Sequence, residues 1–292
     1  MILRPIQQKY TNLQQIIKSY KSVIIGFSGG VDSTLLAKVA YDTLDNRSLA
    51  VIGISPSYPK REEKEAIQLA ETIGIPYITI ATHEMDIEEY RRNQGERCYY
   101  CKRELYGLLQ KVKEKYDFNE IIDGTHLSDL GGHRPGFRAT EELNIKKPFI
   151  EASFTKEDIR TLAHELSLPN WDKPAFACLS SRFPTGTNIN TEALLMVEQG
   201  EQVLYDLGFR QFRLRFHQDI ARIQLLEEDF TKLFKHQVRI TLTNKLKEIG
   251  FSFVTLDLIE YKKESTSIES CNLQTHNDFI LTGYALYDTN SS

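Results

Sequence analysis

Long apolar runs are missing from this sequence of 292 residues. Nowhere do apolar residues approach the roughly 20 in succession that a helix needs to cross a bilayer. The first five residues are followed by polar ones rather than by the apolar core of a signal peptide. We therefore expect no membrane association and predict a cytoplasmic location.

Cysteine is also scarce, with four residues in the whole chain: Cys98, Cys101, Cys178 and Cys271. A disulfide framework is not expected in a chain of this size with so few cysteines. A close pair such as Cys98 and Cys101 is more typical of a metal site or a redox site. Cys271 stands in a polar stretch and is interpreted as incidental.

The chain has no strong charge of either sign, since its formal net charge is −4. A general attraction to nucleic acid is therefore not expected, although a local basic pocket is compatible with this balance. Apolar residues make up 41% and charged residues 26% of the chain, as in an ordinary globular protein. The length favours two domains.

Short apolar runs alternate with helical patterns in the first half of the chain. Strands are predicted at residues 23–27, 49–54, 77–80 and 120–123, and helices from Ser33, at 60–73, at about 101–116 and at 155–166. This order predicts an α/β fold with a doubly wound parallel sheet, in which ligands bind beyond the carboxyl ends of the strands. Ser28, Ser55 and Asp123 are expected at that edge.

The pattern changes after residue 186. Helices are predicted at residues 192–207 and 238–249, and strands at 212–216, 221–225, 252–258 and 279–287. We therefore predict an ATP-binding domain over residues 1–184 and a smaller α+β domain for substrate binding or oligomerisation over residues 185–292.

A glycine-rich turn, Ser28-Gly29-Gly30-Val31-Asp32-Ser33, follows the first strand. Two glycines let the backbone aim several N–H groups at one point, to which the helix N-terminus adds positive charge. The Gly-Lys-Ser/Thr ending of a Walker A loop is missing. An ordinary strand-to-helix turn also uses Gly-Gly, but the whole string resembles the PP-loop of the ATP pyrophosphatase superfamily.

That resemblance implies an ATP site. The residues implied to bind Mg-ATP are Ser28, Gly29, Gly30, Asp32, Ser33, Ser55, Asp123 and Gly124.

Cys98 and Cys101 form a C-x2-C pair, a spacing that brings two sulfurs within reach of one metal at a turn or a helix start. A structural zinc site would need four ligands, and no second pair supplies the others. Cys178 offers a third thiolate, and three cysteines suit a 4Fe-4S cluster with one open iron. A redox dithiol at the pair and a buried small residue at Cys178 remain equally compatible with the spacing.

Several ordered segments together resemble the LarE family. They are residues 96–102, 123–125, 133–138, 170–174, 178–187 and 213–223, and the similarity covers nearly the whole chain to about Leu258. The family's Gly-aromatic-Arg-Ser-Gly pattern that usually follows is replaced here by residues 259–263. Contacts that this segment makes in the family are therefore not carried over.

The resemblance implies an ATP-dependent sulfurtransferase that thiolates pyridinium-3,5-biscarboxylic acid mononucleotide for the nickel-pincer nucleotide cofactor. Some members sacrifice the sulfur of a loop cysteine, whose position is Ala177 here, whereas others carry three cysteines. This favours a 4Fe-4S cluster held by Cys98, Cys101 and Cys178 as the catalytic centre. Ser181, Arg213 and Arg215 are implied to bind the substrate phosphate, which suits a guanidinium fork.

The resemblance further implies a trimer-based hexamer. A donor protein or free sulfide is expected to recharge the cluster with sulfur. Alternatives are a PP-loop enzyme that thiolates tRNA, which the acidic charge disfavours, and an ammonia-using ligase of the NAD-synthetase kind, which has no need for the cysteines. A non-catalytic nucleotide or iron–sulfur sensor is the alternative from another class.

Overall fold

The computed structural model describes residues 5–131 and 135–261. The predicted strand at residues 279–287 and Cys271 lie outside these ranges, as do His133 and Arg134 of one family segment. The described residues form a four-stranded sheet and a three-stranded sheet, each with its own helices.

The larger sheet consists of β1 (Val23–Gly26), β2 (Ser48–Ile54), β3 (Tyr77–Ala81) and β4 (Glu120–Ile122). Its order is β3-β2-β1-β4, and all three pairings are parallel. The chain moves outward from β1 to β3 and then returns to add β4 on the other side of β1. This confirms the doubly wound fold and places the topological switch point, where such sheets bind ligands, between β1 and β4.

Helices cover both faces of this sheet. They are α1 (Pro5–Ser19), α2 (Val31–Leu44), α3 (Lys60–Ile73), α4 (Glu88–Arg92), α5 (Arg97–Tyr116), α6 (Pro135–Glu142), α7 (Pro148–Glu151) and α8 (Lys156–Glu165). Val23 and Ile25 of β1 pack in one core with α1, α2 and α8, whereas Ile24 packs in another with Leu109 of α5. Because successive strand residues point to opposite faces, β1 is buried on both sides.

Helix α5 begins four residues earlier than predicted, at Arg97 instead of Cys101. Its N-cap, Glu96, makes no side-chain capping bond, so the usual start signal is missing from the sequence. The structure therefore places Cys98 and Cys101 one turn apart at the start of one helix. By contrast, α8 starts with a side-chain cap, since Thr155 and Asp158 form a reciprocal capping box.

The second sheet lies in the C-terminal part. It comprises β5 (Phe212–His217), β6 (Ile220–Leu225) and β7 (Phe253–Leu256), with helices α9 (Thr191–Asp206), α10 (Glu227–Leu233) and α11 (His236–Ile249). β5 and β6 are antiparallel, whereas β7 lies parallel to β6. This confirms the smaller α+β unit. Its core already includes Leu179 and Phe183, and the boundary at residues 184/185 stays a prediction.

Candidate active site

The PP-loop turns tightly between β1 and α2. Gly29 has a φ of +65°, which favours glycine. A Cβ on Gly29 would lie 3.0 Å from the Cα of Ala66 in α3, so the backbones approach closely. Ser33 Oγ donates to the carbonyl of Gly30 at 3.1 Å and accepts from the backbone N of Ser28 at 3.3 Å. These hydrogen bonds of Ser33 therefore fix the conformation of the loop at the start of α2.

Two side chains from elsewhere brace the PP-loop from behind. Asn170 is buried and its Nδ2 donates to the Gly29 carbonyl and to Thr34 Oγ1, both at 3.0 Å. Tyr58 donates its hydroxyl hydrogen to the Ser28 carbonyl at 3.1 Å. The sequence had indicated no bracing role for either residue.

The end of β4 meets the PP-loop. A Cβ on Gly124 would lie 3.0 Å from the Cβ of Asp32, so a larger residue would separate the two segments. Asp123 is buried and accepts hydrogen bonds from Tyr106 Oη at 3.1 Å and from the Thr125 backbone N at 3.0 Å. Asp123 and Gly124 therefore lie at the switch point, and the strand pattern had predicted Asp123 at this edge of the sheet.

Asp32 stands in the first turn of α2 with its carboxylate partly exposed. Lys156 Nζ lies 2.6 Å from its Oδ1, and His126 Nε2 lies 3.8 Å from the same oxygen. The carboxylate is therefore a charged group at the phosphate-binding edge, and carboxylate oxygens are ligands that Mg²⁺ accepts.

Three thiols from two distant stretches of the chain interact with one another through their charges. Cys178 immediately precedes the 3-10 helix Leu179–Arg182, whereas Cys98 and Cys101 lie at the start of α5. Burial raises the pKa of the Cys101 thiol well above its usual range, and the negative charges of Glu84, Cys178 and Cys98 add to this. Burial also raises the pKa of Cys98, whereas the positive charge of Arg97 lowers it.

Hydrogen bonds anchor the segment around Cys178 to the part of the chain that contains the four-stranded sheet. The backbone N of Leu179 donates to the Ser57 carbonyl at 2.9 Å. Ser180 Oγ lies 2.7 Å from the buried Tyr90 hydroxyl, and Arg97 Nη1 donates to the Ser180 carbonyl at 2.9 Å. Since Arg97 also begins α5, one side chain links the two cysteine-bearing segments.

Ser55 directly follows β2 and faces the same connection. Its Oγ lies 3.0 Å from Ser57 Oγ, which donates to Glu84 Oε1 at 2.7 Å. The end of β2 is therefore joined through Ser57 both to Glu84 and to the Cys178 segment.

The three predicted phosphate ligands lie where the C-terminal sheet meets the Cys178 segment. Arg213 and Arg215 are two residues apart on β5, so they share one face of the sheet. Arg215 Nη1 donates to the Ser181 carbonyl at 2.7 Å, and the Arg213 guanidinium stacks over the Tyr261 ring at 4.8 Å. Ser181 Oγ accepts from Arg182 Nη1 at 2.9 Å.

Comparison with known proteins places this arrangement in a family. A sequence profile of the NAD synthase family matches residues 6–104. Pyridinium-3,5-bisthiocarboxylic acid mononucleotide synthase of Lactiplantibacillus plantarum is 35% identical over 251 residues, which cover 86% of this chain and 90% of that protein. The chain belongs to the LarE family.

Two further relatives of this LarE chain are uncharacterised proteins. One from Synechocystis sp. is 39% identical over 257 residues, or 88% of this chain and 96% of the relative. One from Methanocaldococcus jannaschii is 31% identical over 262 residues, or 90% and 99% of the two chains. Together with the PP-loop, these similarities identify an ATP-using enzyme of the LarE family.

Arg182 and Glu201 of this LarE protein have no role that the sequence predicts. Arg182 is completely buried and pairs with Glu201 through two hydrogen bonds of 2.8 and 2.9 Å. Its Nη1 donates to the Ala177 carbonyl at 2.7 Å. The position of Arg182 next to the predicted ligand Ser181 was a signal that it belongs to the site. The sequence could not show that its partner lies on α9.

The segment that departs from the LarE pattern is described as far as Tyr261, and Lys262 and Lys263 lie outside the described residues. The backbone N of Tyr261 donates to the Leu225 carbonyl at 2.7 Å, and its ring packs against Arg213. Within residues 5–131 and 135–261, no helix has the length and apolar character needed to cross a membrane.

Proposed function

We propose that this chain is an ATP-dependent sulfurtransferase that converts a carboxylate of pyridinium-3,5-biscarboxylic acid mononucleotide to a thiocarboxylate, in the assembly of the nickel-pincer nucleotide cofactor. The proposal rests on the hydrogen bonds that join the Cys178 segment to Arg97 at the start of α5 and to Ser57 after β2, and on the mutual charge effects of Cys98, Cys101 and Cys178. The relative from L. plantarum, a pyridinium-3,5-bisthiocarboxylic acid mononucleotide synthase, supports the substrate.

The PP-loop is suited to the first half of this reaction. Backbone N–H groups at the start of α2 and the hydroxyls of Ser28 and Ser33 are positioned to bind the ATP phosphates, and Asp32 would hold Mg²⁺. A substrate carboxylate oxygen attacks the α-phosphorus, the bond to the β-phosphate oxygen breaks, and pyrophosphate leaves. The resulting acyl adenylate has AMP as a good leaving group.

The cysteines are suited to the second half. In the described ranges, no three or more His, Cys, Asp or Glu side chains are arranged around a single metal ion. A cubane cluster separates its ligands more widely than one ion does, and three thiols that repel one another as anions are a donor set that iron would stabilise. We propose that Cys98, Cys101 and Cys178 would hold a 4Fe-4S cluster, which supplies sulfide when bound.

The protein's own groups would then orient the acceptor. Hydrosulfide adds to the acyl carbon, the carbon–oxygen bond to AMP breaks, and AMP leaves with that electron pair while the sulfur loses its proton. Ser181, Arg213 and Arg215 hold the phosphate of the mononucleotide during both steps. This role suits Arg213 and Arg215 because the planar guanidinium donates in pairs to phosphate oxygens.

Pyrophosphate release tests the substrate. We expect release from Mg-ATP only when pyridinium-3,5-biscarboxylic acid mononucleotide is present. Release with tRNA or with ammonia and a carboxylate acceptor instead would point to the tRNA-thiolating or NAD-synthetase-like alternatives. ATP binding without release under any of these conditions would indicate a sensor.

Iron and sulfide analysis after anaerobic purification tests the cluster. We expect Cys98→Ala, Cys101→Ala and Cys178→Ala to lose most bound iron, while Cys271→Ala, the control, keeps it. Unchanged iron in all three variants would remove the cluster from the proposal and leave the adenylation step standing.

A further inference from the structure

A recessed cavity of about 500 Å³ lies outside the PP-loop, between the start of α3, the segment that leads to Cys178, and β5. Four arginines, two lysines and three glutamates line it, which is a surplus of three positive charges. The whole chain carries a net charge of −4. The cavity is therefore a local basic site on an acidic protein.

The glutamates of the cavity are already paired within it. Lys173 Nζ lies 2.7 Å from a carboxylate oxygen of Glu62 and 3.1 Å from one of Glu65. Glu201 accepts hydrogen bonds from Nε and Nη2 of the buried Arg182. Arg61 Nη2 also lies 3.6 Å from Glu62 Oε1, a longer contact than that of Lys173. The three glutamates therefore leave a surplus of three positive charges in a lining that includes Arg61, Lys64 and Arg210.

Two of these cations are fixed on one aromatic ring. The guanidinium of Arg61 in α3 lies 4.4 Å from the ring centroid of Tyr205, and that of Arg210 lies 4.6 Å from the same centroid. Arg210 is also fixed by donating Nη1 to the carbonyls of Tyr205 and Phe209, each at 3.1 Å. Cation–π contact holds both side chains in place while leaving guanidinium N–H groups available as donors.

We propose that this cavity binds a phosphate-bearing small molecule, with Arg61, Arg210 and Lys64 as phosphate ligands beyond those proposed above. A concave site with a net positive charge and partly apolar walls concentrates anions. Arginine forks held by stacking match the geometry of phosphate oxygens and lose little freedom on binding.

The cavity also borders the proposed catalytic loop. Arg182, which donates to the carbonyls of Ala177 and Cys178, has its guanidinium 5.2 Å from the Phe176 ring, and both Arg182 and Phe176 line the cavity. Arg213 lines it as well. A phosphate bound here would therefore lie against the segment that carries Cys178.

Two sources of phosphate fit this chemistry, the acceptor mononucleotide and released pyrophosphate. Choosing the mononucleotide as one probe rests on the proposed function, whereas the pyrophosphate arm does not. Isothermal titration of the full chain with pyridinium-3,5-biscarboxylic acid mononucleotide, its phosphate-free nucleoside and inorganic pyrophosphate separates the two. Arg61→Gln and Arg210→Gln are the test variants, and Arg47→Gln, at an exposed site outside the cavity, is the matched control.

We expect each test variant to weaken binding of one phosphate-bearing probe about tenfold, because a hydrogen bond to a charged group is lost. The nucleoside should bind weakly and equally to all forms, and Arg47→Gln should match the unmodified chain. Loss for the mononucleotide identifies the acceptor, and loss for pyrophosphate alone identifies the product.

Tyr205→Leu removes the ring that holds both arginines and should weaken the same probe, whereas Tyr205→Phe keeps the ring and should not. ATP affinity, measured in parallel, should be unchanged in every variant. Equal binding of both phosphate-bearing probes by the unmodified chain, Arg61→Gln and Arg210→Gln would overturn the proposal, even where pyrophosphate release still occurs.

Discussion

Arg182 and Glu201 form a buried, two-pronged ion pair, with Nε to Oε1 at 2.8 Å and Nη2 to Oε2 at 2.9 Å. The remaining nitrogen of Arg182, Nη1, donates to the carbonyls of Ala177 and Cys178 at 2.7 and 3.2 Å. A carboxylate on α9 therefore fixes the guanidinium that holds the backbone around Cys178.

Glu201→Gln should destabilise the chain by about 3 to 5 kcal/mol, because the mutation leaves the charge of Arg182 buried without its partner. Urea denaturation gives this free energy of unfolding. The exposed Glu248→Gln is the control and should stay within about 0.5 kcal/mol of the unmodified chain. A loss for Glu201→Gln no larger than that of the control would show that the pair does not anchor the segment.

Gly29→Ala should reduce ATP affinity strongly and lower stability by about 1 to 3 kcal/mol, since φ is +65° and the new Cβ would lie 3.0 Å from the backbone of Ala66. Titration with ATP and thermal unfolding measure both effects. Gly107→Ala is the matched control, because Gly107 lies inside α5 with nothing within 4 Å of a new Cβ. It should be neutral or stabilising by about 0.5 to 1 kcal/mol. Equal ATP affinity in the two variants would contradict the assignment of the PP-loop.

Tyr90→Phe should cost about 1 to 3 kcal/mol, because it leaves the buried Ser180 hydroxyl without the partner that now lies at 2.7 Å. We also expect slower sulfur transfer, since Ser180 is two residues from Cys178. Tyr116→Phe, at a residue that is 49% exposed, should change neither stability nor turnover. If Tyr90→Phe keeps full stability, the bond is not a tether of this segment.

The pKa of His217 is lowered from its usual value of 6.5, first by burial and then by the positive charges of Arg222 and Arg215. In the unfolded chain the imidazole takes up its proton near pH 6.5 while the folded chain still holds it neutral. Stability from this group is therefore complete above pH 6.5 and is lost as pH falls through that value toward the folded pKa. His217→Gln should accordingly lose less stability than the unmodified chain between about pH 8 and pH 5.

An NMR titration of the His217 ring protons measures that pKa directly. In the measurement of stability against pH, His236→Gln serves as the control for His217→Gln, because His236 is exposed at the start of α11. A His217 midpoint at or above 6.5 would contradict the expected repulsion from the two arginines.

The sequence alone determined the framework of this protein. The continuous apolar runs of β1 (Val23–Gly26) and β2 (Ser48–Ile54) indicate strands that are buried on both faces of a sheet. Their alternation with helices predicted that the sheet is parallel. The glycines of the PP-loop predicted a close backbone turn, and Gly29 adopts a φ of +65°, which costs most other residues strain. Local signals of this kind act over a few residues and are therefore visible in the chain itself.

The tertiary structure decided what meets across long separations. Arg182 and Glu201, Tyr90 and Ser180, and the stacking of Arg61 and Arg210 on Tyr205 depend on how α3, α9 and the Cys178 segment pack. The start of α5 also escaped prediction, because Glu96 provides no side-chain cap. Such contacts are set by the summed burial of two cores rather than by any local pattern, so only the folded chain shows them.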